Sequence, residues 1–143
     1  MSHDSSPAAP SSPPVILRFA VPSPLRRLFD YLPPVGMSAA AAAALPPGIR
    51  IAVPFGPRTL VAVLVSVHAQ SSVPSEKLKQ TLHCIDDTPL VPPALLDLFL
   101  WAAQYYQHPP GDALQSMLPA LLRQDRPAAR APRRVWRLSD AGR

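Results

Sequence analysis

Two short segments of this sequence hold most of the side chains that stand where they can do chemistry. Phe29-Asp30-Tyr31 places a carboxylate between two aromatic rings, on a segment closed by Pro33-Pro34. An aromatic face there can stack on a nucleobase while the carboxylate accepts a hydrogen bond from a hydroxyl. The plainer reading makes the rings core and Asp30 a turn residue. Val53-Pro54-Phe55-Gly56 also has two readings: a rigid turn, or a backbone left bare at Gly56 so that a ligand can approach closely. Lys77 and Lys79 are the only lysines in a chain that otherwise uses arginine. Each is either a solvated loop charge or a phosphate contact.

Other chemistries find little footing. The four histidines are scattered, no glycine-rich phosphate loop occurs, and no local motif gathers Ser, His and Asp. The lone Cys84 can form neither an intramolecular disulfide nor a multi-thiolate zinc site, and it fits a reducing compartment. His83 and His108 lack the ligand partners that a metal requires, so they read as ordinary histidines. The formal charge of +5 is unevenly placed: residues 1–120 hold seven Lys/Arg and seven Asp/Glu, whereas residues 121–143 hold seven and two. The positive excess therefore lies in the C-terminal tail. No apolar run approaches the roughly 20 residues that a membrane helix needs. Residues 1–14, made largely of Ser, Pro and Ala, lack the basic start and apolar centre of a signal peptide and read as a disordered leader. A cytoplasmic location is the resulting expectation.

The elements that would position these residues are short, because 21 prolines interrupt the 143 residues. Val15 to Val21 alternates as a strand, with Val15, Leu17, Phe19 and Val21 on one side. Leu25 to Leu32 reads as a short strand or extended loop, and the alanine run Ala39 to Ala44 as a loop, since so short a helix is marginal in water. Ile49 to Val53 and Leu60 to Val67 form a hairpin around Pro54 to Thr59, the second strand apolar on both faces and fully buried. Glu76 to Gln80 suits one helical turn and Thr81 to Ile85 an extended segment. Ala94 to Gln107 is a helix, with Asp97, Trp101, Gln104 and His108 along one stripe. A second helix from Gly111-Asp112 is short or bent at Pro119. From Arg123 a basic, Pro-rich linker leads to the strand-like Val135 to Leu138. The expected fold is α+β, a small, mostly antiparallel, curled sheet of five or so strands covered by the Ala94 to Gln107 helix.

Five blocks then fall in a specific order: Phe29-Asp30-Tyr31-Leu32-Pro33; Gly48 to Gly56 (GIRIAVPFG); Leu78-Lys79; Trp101 to Asp112 (WAAQYYQHPPGD); and Leu118-Pro119. From Val15 onward the chain resembles the N-terminal region of the PriA (primosomal protein N′) family of replication-restart helicases. The resemblance implies a 3′ DNA-binding domain over residues 15–122, followed over 123–143 by a basic linker and the start of a winged-helix domain. It implies capture of the 3′-hydroxyl end of a nascent leading strand at a stalled fork, through a pocket of Phe29, Asp30, Gly56 and Lys79. Phe29 would stack on any base, Asp30 accept from the terminal hydroxyl, Gly56 leave space for the nucleotide, and Lys79 meet a phosphate or base acceptor.

Two departures bear on that pattern. Pro57 stands where the family commonly has a basic residue, which shifts a phosphate contact to Arg58 or removes it. Gln107 stands where the family usually has a second histidine, in a segment given to packing and interdomain contact, so the change is expected to leave DNA capture unaffected. The resemblance further implies nucleoid association, with other primosome proteins and single-stranded DNA-binding protein met through the parent protein. It places ATP, magnesium and zinc in that protein's remainder, so the chain itself is expected to be no enzyme and to need no cofactor. A reading of another class makes the chain a protein-interaction module that docks partners through the Trp101 helix face and the Pro-rich basic tail. An end-binding domain needs few cations, which suits the balanced charge of residues 1–120.

Overall fold

The computed structural model describes residues 13–129 and residue 135. The leader therefore falls outside the described residues up to position 12, as does most of the segment expected to begin a winged helix. Among the described residues five strands form one unclosed sheet: β1 (Ile16–Ala20), β2 (Phe29–Tyr31), β3 (Arg50–Phe55), β4 (Arg58–His68) and β5 (His83–Cys84). Their order is β2-β1-β4-β3-β5, and every pairing between them is antiparallel. Three helices accompany the sheet: α1 (Ala39–Ala43), α2 (Pro93–Tyr105) and α3 (Pro110–Met117). This is the expected small α+β fold.

The period-2 pattern of β1 separates two cores. Leu17, Phe19 and Val21 join Tyr31, Ile49, Ile51, Val53 and Leu64 in a cluster on one face. Ala20 and Val63 meet Leu96 of α2 with Leu114 and Leu118 on the other. Each large side chain buried in this way contributes about 1.5–3 kcal/mol. α3 makes the direct contacts to β1 and β4, and α2 packs on α3. The helical cover is therefore two helices deep, with Leu96 reaching from α2 to the sheet-face cluster. α3 can sit this low because of Gly111, where a Cβ would collide with the Val21 carbonyl.

The alanine run corrects its expectation. Residues 39–43 are helical, capped by Ser38, whose Oγ accepts from the Ala41 amide at 3.1 Å. Tertiary anchoring supplies what five residues lack alone: Ala42 is fully buried and Leu45 packs on the first core. β4 is buried on both faces only over Val61–Leu64, and its last residues are partly exposed. Past β4, a 3-10 turn spans Ser75–Lys77, starting one residue before the expected Glu76 to Gln80 turn and ending at Leu78, where the backbone is already extended.

Residues 79–84 tie the sheet's edges together. The Leu32 amide donates to the Lys79 carbonyl at 2.8 Å and the Thr81 amide to the Leu32 carbonyl at 2.9 Å, a parallel bridge at the end of β2. A few residues on, the Leu82 amide bonds the Ala52 carbonyl and β5 pairs with Ile51 and Ala52 of β3. The sheet thus curls around its first core without closing.

Arg50 has no accessible surface, although the alternation of Ile49 to Val53 assigns it only to the face opposite the isoleucines. Its Nε and Nη2 bond both oxygens of Asp86, at 2.7 and 2.6 Å. Its remaining donors reach the carbonyls of Leu122, Gln124 and Arg126 at 2.6, 3.3 and 3.0 Å. The start of the basic segment is therefore bonded to the domain body. Asp86→Ala strands a buried guanidinium, and a loss of about 3–5 kcal/mol is expected in urea unfolding. A loss below about 1 kcal/mol would show that water or another acceptor replaces the carboxylate.

Candidate nucleic-acid interface

β2 carries two of the residues singled out from the sequence. Arg18 of β1 and Asp30 of β2 are cross-strand partners, so the register itself sets their side chains together. The pair is bidentate, with Arg18 Nε donating to Asp30 Oδ1 at 2.7 Å and Nη2 to Oδ2 at 3.0 Å. Ser71 Oγ adds a third bond, donating to Oδ2 at 2.6 Å. The Asp30 side chain is 5% exposed and that of Arg18 32%. The Arg18 hydrogen bonds hold the Asp30 carboxyl below the usual carboxylate range; burial opposes this and the Ser71 bond adds to it. Asp30 is therefore a structural anion as well as a lining residue, and the turn-residue reading fails.

Phe29 packs edge-on against Phe55 with ring centroids 5.3 Å apart, and the Arg27 guanidinium lies 4.7 Å above its ring centre. Tyr31 lies on the same face of β2, buried in the first core against which Phe29 also packs, and its hydroxyl donates to the Pro54 carbonyl at 2.9 Å. That bond holds the β3–β4 tip against β2. At the tip Phe55 pairs with Arg58, leaving Gly56-Pro57 as a two-residue loop. Gly56 has φ +57°, and proline's ring sets the next φ near −65°, the pattern of a type II′ turn. A Cβ at Gly56 would meet nothing within 4 Å, so the turn's backbone, and not crowding, requires glycine here.

Phe29, Asp30, Gly56 and Lys79 line one cleft of about 630 Å³, in company with Arg18, Arg27, Phe55, Val73 and Lys77. The bridge at Leu32 brings Lys79 to it: the lysine's backbone is fastened to the end of β2 while its side chain is exposed. Arg58 is exposed at the hairpin tip and does not line this cleft. Arg18, Arg27 and Ser71 were not legible in the sequence. Arg18 stood out only as a polar member of β1's alternation, and its partner depends on a strand register that no local pattern reveals.

Among the described residues Asp30 is the only acid lining the cleft, and Arg18 neutralises it, so Arg27, Lys77 and Lys79 leave the site locally positive. Its size falls within the roughly 300–1,000 Å³ of ligand pockets. Elsewhere, burial pushes the Cys84 thiol up, with Asp87 adding to the effect, which keeps it protonated and unreactive. Among the described residues no three His, Cys, Asp or Glu side chains meet as a metal site, and no helix is long and apolar enough to cross a membrane. His83 pairs with Asp125 at 2.8 Å.

A curled α+β domain with an aromatic-lined, cation-rimmed cleft has the ingredients of a nucleic-acid-binding module. Residues 18–119 match the family model described as the 3′ DNA-binding domain (3′BD), and the chain belongs to that family. It is 41% identical over 128 residues to the replication restart protein PriA of Haemophilus influenzae, covering 90% of this chain and 17% of that protein. The PriA of Buchnera aphidicola (Acyrthosiphon pisum) is 29% identical over 78% of the chain, and that of Bacillus subtilis 33% identical over 53%. The chain thus spans less than a fifth of the length of these relatives.

The lowered Asp30 carboxyl has a signed consequence. Its stabilisation is complete above the ordinary carboxylate range and is lost as pH falls through the lower folded-state value. Asp30→Asn is therefore expected to be about 1–2 kcal/mol less stable than the parent at neutral pH. In denaturant titrations at successive pH values the gap should close in strong acid. An equal gap at all pH values would refute the ion pair's contribution.

Proposed function

We propose that the cleft receives the terminal nucleotide of a DNA strand ending in a free 3′-hydroxyl, without selecting its base, and that this is the chain's part in replication restart. The observation that carries the reading is the convergence in one cleft of Phe29, Asp30, Gly56 and Lys79, residues drawn from three separated segments. The bond from Ser71 Oγ to Asp30 is the kind a sugar hydroxyl would make. A carboxylate has about four acceptor positions, of which Arg18 and Ser71 take three. A terminal hydroxyl uses the fourth or displaces the serine.

A 3′-phosphate has no proton to offer at neutral pH comparable to that hydroxyl's, and it meets a carboxylate whose arginine is already engaged. Phe29 offers a sequence-tolerant face once a base displaces the Arg27 guanidinium that covers it, and Arg27, Lys77 and Lys79 stand ready for phosphates. Arg58, off the cleft, would touch only backbone beyond the terminal nucleotide. By the same reading, ATP-dependent unwinding, with its magnesium, and zinc binding belong to the remainder of a full-length relative. The setting is a fork in the cytoplasm, at the nucleoid.

A second surface supports contact with protein partners, among them primosome proteins and single-stranded DNA-binding protein. Leu98, Trp101 and Tyr105 are exposed along α2, with Trp101 at 58% and stacked on Tyr105 at 5.2 Å. This complements DNA capture and does not replace it.

Fluorescence anisotropy of a 5′-labelled oligonucleotide carrying either a 3′-hydroxyl or a 3′-phosphate, at two salt concentrations, tests the terminal site. The hydroxyl end should bind more tightly at both salts, and Asp30→Asn should erase most of that preference. Equal binding of both ends that disappears with salt would reduce the interaction to phosphate contacts by the basic tail.

A further inference from the structure

A second cleft of about 580 Å³ adjoins the first through Arg27 and Leu28, which line both. Its apolar lining is Leu28, Leu100, Ala103 and Pro110, all buried or half-buried. Its polar lining is Arg26, Arg27, Gln104, Gln107 and His108, all exposed, and among the described residues no acid lines it. An apolar bed edged by arginines and amides, beside a cleft of similar size, is what a chain of nucleotides would need next.

The backbone at Gln107 adds an independent observation. Its φ is +52°, and among the described residues no other non-glycine residue has a positive value. The His108 amide bonds the Ala103 carbonyl and the Gln107 amide that of Gln104, at 2.8 and 3.2 Å. This is a Schellman end to α2, in which Gln107 holds the left-handed position that glycine fills at least cost. The glutamine side chain does what glycine cannot: its Oε1 accepts from Arg26 Nη1 at 3.0 Å, holding that guanidinium at the cleft. Strain retained beside a cleft points to use of the side chain.

We propose that this second cleft is a subsite for the penultimate nucleotide, a reading that rests on the first cleft's being the terminal-nucleotide site. Arg27, common to both clefts, takes the phosphate linking the two nucleotides. The penultimate base lies on Leu28, Leu100, Ala103 and Pro110. Arg26, steered by Gln107, takes the next phosphate on the 5′ side. Glutamine amides both donate and accept, so the subsite adds affinity without choosing a base.

Calorimetric titration with deoxyadenosine 5′-monophosphate and with the 5′-phosphorylated deoxyadenosine dinucleotide tests this, both ligands ending in a 3′-hydroxyl. The dinucleotide should bind about tenfold more tightly, the scale of one or two charge-assisted contacts. Arg26→Gln and Gln107→Gly should each cut that gain to about twofold or less and leave monophosphate affinity unchanged. Gln107→Gly suits the left-handed position, so it should melt no lower than the parent, which separates loss of the contact from loss of fold. A dinucleotide gain that survives both variants, or no gain at all beside normal monophosphate binding, overturns the subsite and leaves the terminal site standing. Failure of the parent to bind either ligand overturns the terminal site and the subsite with it.

Discussion

The Arg50 guanidinium is the interaction on which the arrangement depends. All five of its N–H donors are used, three on one carbonyl each and two on the Asp86 carboxylate. Taken out of water it is tolerable only because every donor is met, and a lysine, with three donors and no planar fork, could not replace it. Three stretches of chain meet there: β3, the turn after β5, and residues 122–126. β3 is also the strand to which β5 pairs, so the same fastening supports the passage of residues 79–84 from one sheet edge to the other. Lys79 reaches the cleft because that passage is held.

The cleft solves an electrostatic problem by pairing. A domain that balances its charges over most of its length presents few cations, yet a nucleotide requires a positive reception. Among the described residues Arg18 answers the one acid in the first cleft and the second cleft has none, so Arg26, Arg27, Lys77 and Lys79 face no unpaired acid there. Asp30 keeps its acceptor oxygens while its charge is offset. A carboxylate held in this way can receive a hydroxyl and offers a phosphate little. In the proposed capture, few phosphate contacts leave recognition to stacking and hydrogen bonding, which salt weakens less than ion pairing.

Much of this was legible in local pattern. The alternation of β1, the proline-bounded aromatic segment, the hairpin at Gly56-Pro57 and the long apolar helix each express a short-range rule, so they survive without knowledge of the fold. The short alanine helix was not legible, because its stability comes from burial of Ala42 and Leu45 and from one serine cap, not from its own length. Arg50 was invisible for a related reason: an arginine in an alternating strand looks solvated until its partners, distant in sequence, are known.

Local pattern was enough for the α+β class, the main strands, helices α2 and α3 and the residue types of the proposed terminal site, because periodicity, proline placement and motif order act within a few residues. Tertiary structure alone decided the pairing of Arg18 with Asp30, the placing of Lys79 beside β2, the burial of Arg50 and the second cleft between residues 26–28 and the end of α2. Each of these joins segments separated by at least a dozen residues. Contacts of that kind are set by strand register and by the balance of desolvation against hydrogen bonding, neither of which is written in any one stretch of chain.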